Sequence, residues 1–334
     1  MTAAVTLSGI RAARARIAGC VAPTPVVPSP SLSARAPVFL KLETGQPTGS
    51  FKLRGATNAV LALDPETRAR GLVTASTGNH GRALAHAAKE ARARAIVCLS
   101  ALVPANKVEA IRALGAEVRI VGRSQDDAQA EVDRLVRVEG LTEVPPFDHP
   151  DVVAGQGTIG LEIVEAVPNL DLVLVPLSGG GLAAGVAMAV KALSPSARVV
   201  GVSMASGAAM AASLDAGRPV AVEEVATLAD SLGGGIGLSN RVTFALCCDL
   251  LDDVVLLSEE EIAAAVRHAH RHDDQTVEGA GAVGIAAILA GKVVVRGPTV
   301  AILSGRNIDA TLHAGIVAST WAPAGAEAAR CTAC

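Results

Sequence analysis

The 334-residue chain is half hydrophobic and 18% charged, enough apolar material for a large core split over two lobes. Lys and Arg number 29 against 32 for Asp and Glu, so the formal charge of -3 gives no electrostatic reason to expect nucleic acid or an anionic membrane as partner. Aromatic residues are 1% of the chain and Tyr is absent, which leaves base-stacking platforms and aromatic sugar sites poorly supplied; a small-molecule substrate is expected.

The N-terminal stretch carries Arg11, Arg14 and Arg16 but no acid, and is expected to be a short surface helix rather than a transit peptide. In Lys41-Leu42-Glu43-Thr44-Gly45-Gln46-Pro47-Thr48-Gly49-Ser50-Phe51-Lys52, Gly and Pro build a turn and Thr48 or Ser50 can cap a helix that runs to about Leu63. Lys52 falls in its first turn, where the helix dipole favours a neutral, nucleophilic amine. Alone, a lysine so placed is far more often a solvated surface group.

Next come short apolar runs separated by Ala-rich helical stretches: Leu72 to Ala75, Ala95 to Leu99, Glu117 to Val121, Leu172 to Val175, Val199 to Val202 and Thr299 to Leu303. Strands of this kind are buried on both faces, and their alternation with helices predicts an α/β protein with parallel sheets. Three strand–helix units over residues 73–147 are expected to form a small mobile lobe inserted into a larger one made of 1–72 and 148–322, with an Ala-rich tail at 323–334. Leu172 to Val190 lacks charge over a membrane-length span, but Pro176 and the following glycines make it strand, loop and helix. The cysteines, including a terminal C-x-x-C, show no other metal-ligand spacing and are expected to be reduced and cytoplasmic.

Three strand ends carry further chemistry. Ser76-Thr77-Gly78-Asn79-His80 opens a helix after a strand, either as an anion receptor for a carboxylate or as an ordinary capped turn, with a structural hydrogen bond the favoured role for His80. Ser178-Gly179-Gly180-Gly181-Leu182 lets backbone approach closely at a helix N-terminus, so a phosphate is expected there; the spacing is not G-x-G-x-x-G, which speaks against a dinucleotide. Ser304 ends the last strand, where ligands of open α/β sheets gather.

Together and in this order, these motifs resemble the fold-type II pyridoxal-phosphate enzymes: threonine and serine dehydratases, serine racemase and relatives, a two-lobed fold like the tryptophan synthase β chain. The resemblance runs from about Leu7 to Ser319 and includes the stretches 154–158, 229–237 and 278–282. It implies pyridoxal 5'-phosphate as cofactor, carried by Lys52 as a Schiff base, with Lys52 also shuttling the α-proton. Phe51 would pack beside the ring, Asn79 would bond its 3'-oxygen, Ser178 to Leu182 would hold the phosphate, and Ser304 would meet the pyridine nitrogen. Glu278 is taken as a further cofactor-side residue. Ser76, Thr77, Gly78 and His80 would surround the substrate carboxylate, joined by Gln156 and Arg306. Thr77 stands where serine racemase carries a second hydroxyl base, so it is named as catalytic while racemisation is placed in doubt.

The implied reaction is α,β-elimination from a 3-hydroxy amino acid, giving a 2-oxo acid and ammonia. A racemase, a β-replacing enzyme or a non-catalytic amino-acid binding protein are the other readings. Ser203-Met204 stand where the family often has a Glu for a cation, and no metal is assigned. Ser304-Gly305-Arg306-Asn307 departs from the commoner Ser-Gly-Gly-Asn and looks most like the hydroxyectoine-utilisation branch, near 3-hydroxyaspartate dehydratases. Arg306 either binds a second substrate carboxylate or is a surface arginine. The absence of room for a regulatory domain favours a catabolic role, and the resemblance implies a homodimer.

Overall fold

A computed structural model describes residues 5–322, apart from Thr77, Leu102, Pro104 and the side chain of Asn106. The expected tail at 323–334 lies outside the described residues.

Two sheets organise the chain. The larger has the order β1-β2-β10-β7-β8-β9, built from β1 (Val26–Pro28), β2 (Val38–Leu42), β7 (Leu172–Pro176), β8 (Arg198–Met204), β9 (Asp253–Leu257) and β10 (Thr299–Leu303). Only β1 runs antiparallel to its neighbour. The smaller, order β5-β4-β3-β6, comprises β3 (Leu72–Ala75), β4 (Ala95–Leu99), β5 (Glu117–Ile120) and β6 (Thr142–Glu143), all parallel.

Helices cover both faces of each sheet, as parallel strands require. Along β7 the side chains alternate: Val173 and Val175 join a core with α1 (Leu7–Ile17), α7 (Pro150–Ala166), α8 (Gly181–Leu193), α9 (Ala209–Ala216) and α10 (Thr243–Leu250). Leu172 and Leu174 enter the opposite core with α11 (Glu259–His272), α12 (Gly279–Leu289) and α13 (Ala310–Val317). The small sheet divides likewise. Val97 and Leu99 pack under α4 (Asn79–Glu90) and α5 (Ala105–Arg112), and Ile96 and Cys98 under α6 (Gln125–Glu139).

Between the sheets runs α2 (Lys52–Ala62), followed by the short α3 (Pro65–Arg70). Ala56, Ala59 and Val60 of α2 share the core of the small sheet, together with Val152 of α7. A buried charge cluster fixes the start of α2. Arg54 donates to both oxygens of Glu43 (2.9 and 2.8 Å) and to both of Glu162 (2.6 and 2.9 Å), and Lys41 pairs with Glu162. Burial pulls the Lys41 amine below its ordinary range, while Arg54 and Lys41 hold the buried Glu43 carboxyl down despite its own burial.

Among the described residues no helix is long and apolar enough to cross a membrane. Cys20, Cys98, Cys247 and Cys248 are free thiols.

Candidate active site

Four loops meet at the carboxyl ends of parallel strands, where the backbone of α/β sheets diverges and leaves a crevice. Because β2, β10 and β7 are neighbours, the loops that leave them are neighbours as well. Ser50 and Gly305 form an isolated antiparallel bridge, Phe51 N donates to Ser304 O at 3.0 Å, and Arg306 N donates to Gly49 O at 2.9 Å. Lys52 is thereby stitched to the strand end that carries Ser304, itself only 3% exposed.

The expected cap of α2 is absent. No side chain caps it, and Thr48 Oγ1 and Ser50 Oγ are buried without a hydrogen-bond partner. Both hydroxyls are spent on neither turn nor cap, because the bridge to β10 holds this loop instead.

Lys52 Nζ donates to the carbonyl of Pro146 at 2.7 Å and lies 5.3 Å from the centroid of Phe51. Its pKa is lowered to about 8, first by burial, with Glu278 opposing. Desolvation thus supplies the neutral amine for which the helix dipole was invoked.

The glycine loop follows β7. Gly180, the N-cap of α8, has φ of 86°, a left-handed conformation that only glycine adopts freely. A Cβ on Gly179 would lie 2.4 Å from the ring of Phe147, and one on Gly180 would meet Met210, Thr243 and Cys247 within 3.0 Å. The loop is therefore clasped from two sides, with Phe147 on one and α9 and α10 on the other. Phe147 directly follows the residue whose carbonyl receives Lys52, so one dipeptide contacts both the amine and the glycine loop.

From the small sheet, the loop after β3 brings Asn79. Its Nδ2 donates to Glu278 Oε1 at 2.8 Å, and its Oδ1 accepts from Asn307 Nδ2 at 2.5 Å. Asn307 N donates to the other Glu278 oxygen at 3.1 Å, and Arg82 Nη1 donates to Asn307 Oδ1 at 2.8 Å. Burial and the nearby charge of Asp230 raise the Glu278 pKa to about 7.

Ser76 Oγ accepts from Gly78 N (3.4 Å) and Gly81 N (3.1 Å), which makes it the polar brace of this turn; no side chain caps α4 at Gly78. His80 is buried with Nε2 bonded to Val144 O at 2.8 Å, and burial, then the nearby Lys52, lower its pKa to about 3. Its ring is a neutral structural element of the turn, with Nδ1 buried and unpartnered. Thr77, named as catalytic and carboxylate-binding, lies outside the described residues.

The remaining two expectations sit at the margins. Gln156 is buried between α7 and α2, where its Oε1 accepts from Gly55 N at 3.2 Å and its Nε2 has no partner. Arg306 is exposed and lines a surface groove of about 300 Å³ with Leu42, Thr44, Asp274 and Gln275.

Sequence reasoning missed the segment Pro145-Pro146-Phe147-Asp148, which supplies the carbonyl for Lys52 and the ring against the glycine loop. A signal was present: three prolines in six residues around one of only four phenylalanines. The roles of Asn307 and Arg82 in the Asn79–Glu278 network were not legible either.

Residues 17–305 match the family model described as pyridoxal-phosphate dependent enzyme. A Sinorhizobium fredii protein named provisionally as a threonine dehydratase is 62% identical over 316 residues, covering 94% of this chain and 95% of that one. The L-threonine ammonia-lyase of Thermotoga maritima is 40% identical over 92% of this chain and 77% of its own. Among solved structures, maize serine racemase superposes with a TM-score of 0.88 at 34% identity, covering 95% of this chain and 98% of that one.

Proposed function

We propose, since the chain belongs to the family of pyridoxal-phosphate-dependent enzymes, that it is an ammonia-lyase of the dehydratase type, converting a 3-hydroxy amino acid into a 2-oxo acid and ammonia. The single observation that carries the reading is the meeting of Lys52, through Pro146 and Phe147, with the glycine loop.

The residues fit the cofactor. The loop at Gly179 to Leu182 has left-handed backbone at Gly180 and the N-terminus of α8 behind it, suited to a phosphate. Ser50 Oγ and Thr48 Oγ1 are unpartnered buried hydroxyls in the loop that leads into Lys52. Phe51, Lys52, Asn79, Ser178 to Leu182, Glu278 and Ser304 would hold the group, and Ser76 and Gly78 would line the substrate side, with His80 and Gln156 supporting the site through their bonds to Val144 O and Gly55 N. Bound there, pyridoxal 5'-phosphate supplies a sink for the electron pair left when an α-proton departs.

The chain's own part is proton handling and orientation. With a pKa of about 8, Lys52 Nζ is poised to take the α-proton near neutral pH. Ser304 would present a neutral hydroxyl to the ring nitrogen of the group, which unlike a carboxylate would not hold a proton there, a setting suited to elimination of a β-hydroxyl. Glu278 retains a proton close to neutrality and orients Asn79 through its hydrogen bond.

Residues 73–147 are taken as the small mobile substrate domain and 1–72 with 148–322 as the cofactor-binding domain, a division supported by the two separate sheets. Closure of the small domain excludes water from the site. The assembly is taken to be a cytoplasmic homodimer.

The test is 2-oxo acid release from L-threonine, L-serine and the 3-hydroxyaspartate isomers by the cofactor-loaded enzyme, with Lys52→Ala as control. Release from at least one substrate, lost in Lys52→Ala, is expected together with loss of the visible absorbance band. A D-amino acid as main product, or activity retained in Lys52→Ala, removes the assignment.

A further inference from the structure

Asp148 follows Phe147 in the chain and bonds to the start of α10, including the hydroxyl of Thr243 at 3.4 Å, so it occupies the joint between the two sides that clasp the glycine loop. Its Oδ2 accepts from Arg241 N at 2.7 Å, and its Oδ1 accepts from Val242 N at 2.8 Å and Thr243 N at 2.9 Å. These amides open α10, whose own N-cap residue, Val242, offers no side-chain acceptor. A carboxylate from a segment 93–95 residues distant thus shares the capping with Asn240, whose Oδ1 accepts from Phe244 N at 2.9 Å, and adds charge-assisted bonds and favourable interaction with the helix dipole.

The consequence lies in what each end of this link touches. On the Asp148 side, Phe147 packs on Gly179 and Gly181, and Pro146 receives Lys52 Nζ. On the α10 side, Thr243 and Cys247 pack against Gly180, and Cys247 Sγ approaches Gly180 O at 3.8 Å. Asp148 bonds one side to the other.

We propose that Asp148 is a positioning residue for the cofactor site: it locks Phe147 and α10 about the glycine loop and holds the Pro146 carbonyl under Lys52. This rests on the reading of the loop as a phosphate cradle. A loosened clasp lets the loop amides wander, so cofactor affinity falls, and a displaced Pro146 carbonyl changes the environment of the Lys52 amine.

The experiment compares full-length wild type, Asp148→Asn and Asp148→Ala, each stripped of cofactor. Three quantities are read: the Kd for pyridoxal 5'-phosphate by absorbance titration, the pH midpoint of Lys52 reactivity toward a small aldehyde, and the melting temperature. Asp148→Asn keeps the size and one acceptor but loses the charge, and should weaken cofactor binding by about tenfold, with Asp148→Ala weaker still and the Lys52 midpoint moved in both. A lowered melting temperature with unchanged Kd and midpoint overturns the proposal, because a purely structural cap predicts that result. Where Asp148→Ala does not fold, Asp148→Asn decides. Wild type that fails to bind the cofactor at all overturns the functional reading and this inference with it, whereas wild-type binding matched by both variants overturns this inference alone.

Discussion

Lys52 Nζ donates a 2.7 Å hydrogen bond to the carbonyl oxygen of Pro146, 94 residues further along the chain. That bond joins the start of α2 to the loop preceding α7, at the residue just before the phenylalanine whose ring packs on the glycine loop. Desolvation at this place makes the neutral amine accessible close to physiological pH.

The first prediction concerns that amine. In cofactor-free enzyme, the rate of imine formation between Lys52 and a small aldehyde should rise about tenfold per pH unit at low pH and level off above a midpoint of about 8. Stopped-flow absorbance measures it. A midpoint near that of an ordinary lysine, 10.5, rules out desolvation as the activating effect.

Glu278 gives a stability signature of known sign. Its folded pKa of about 7 exceeds the ordinary 4.5, so between these values the folded state holds the proton more tightly than the unfolded chain. The stabilisation is complete below pH 4.5 and lost as pH rises through 7, by about 3 kcal/mol at most. In cofactor-free enzyme, denaturant melts of Glu278→Gln should lack this decline, so its stability relative to wild type climbs across the window. Parallel profiles for the two proteins contradict the assignment.

The Arg54 cluster should be unforgiving. Arg54→Met leaves the fully buried Glu43 without its bidentate partner, which costs about 3–5 kcal/mol of folding stability. Urea denaturation of cofactor-free protein reads the loss directly. A change below 1 kcal/mol would falsify the view that this cluster anchors the start of α2.

Arg306 decides a question of substrate. Its exposure on a surface groove predicts that Arg306→Ala leaves the ratio of kcat/KM for threonine over 3-hydroxyaspartate within about twofold of wild type, as expected for a surface group. Selective loss of the dicarboxylic substrate, by tenfold or more, instead brings the guanidinium into the substrate site.

Much of the architecture was legible along the chain, since β3, β4 and β10 coincide with apolar runs whose both-face burial leaves no alternation to obscure them. Elements that broke local rules were hidden. The strand β2 carries Lys41, a charge made tolerable in the interior by Glu162. The helix α7 contains Gly155, Gly157 and Gly160, which argue against a helix until their neighbours are known. A Cβ on Gly155 would stand 2.6 Å from Arg54 O, and one on Gly157 at the same distance from Ile10 Cδ1. Those glycines serve close packing between helices, which no local propensity reports.

By itself the sequence determined the alternation of strands and helices and the parallel sheets, because strand burial and turn chemistry are local and leave marks in consecutive residues, while Lys52, Asn79, the glycine triplet and Ser304 stood out only through their combined resemblance to a family. Only the tertiary structure decided which groups meet: Pro146 with Lys52, Phe147 with the glycine loop, Asp148 with α10, and Glu278 with Asn79 and Asn307. The physical reason is that a desolvated amine, a carboxyl that keeps its proton and a clasped loop are properties of surroundings assembled from distant segments, and those surroundings exist only once the two sheets have packed about α2.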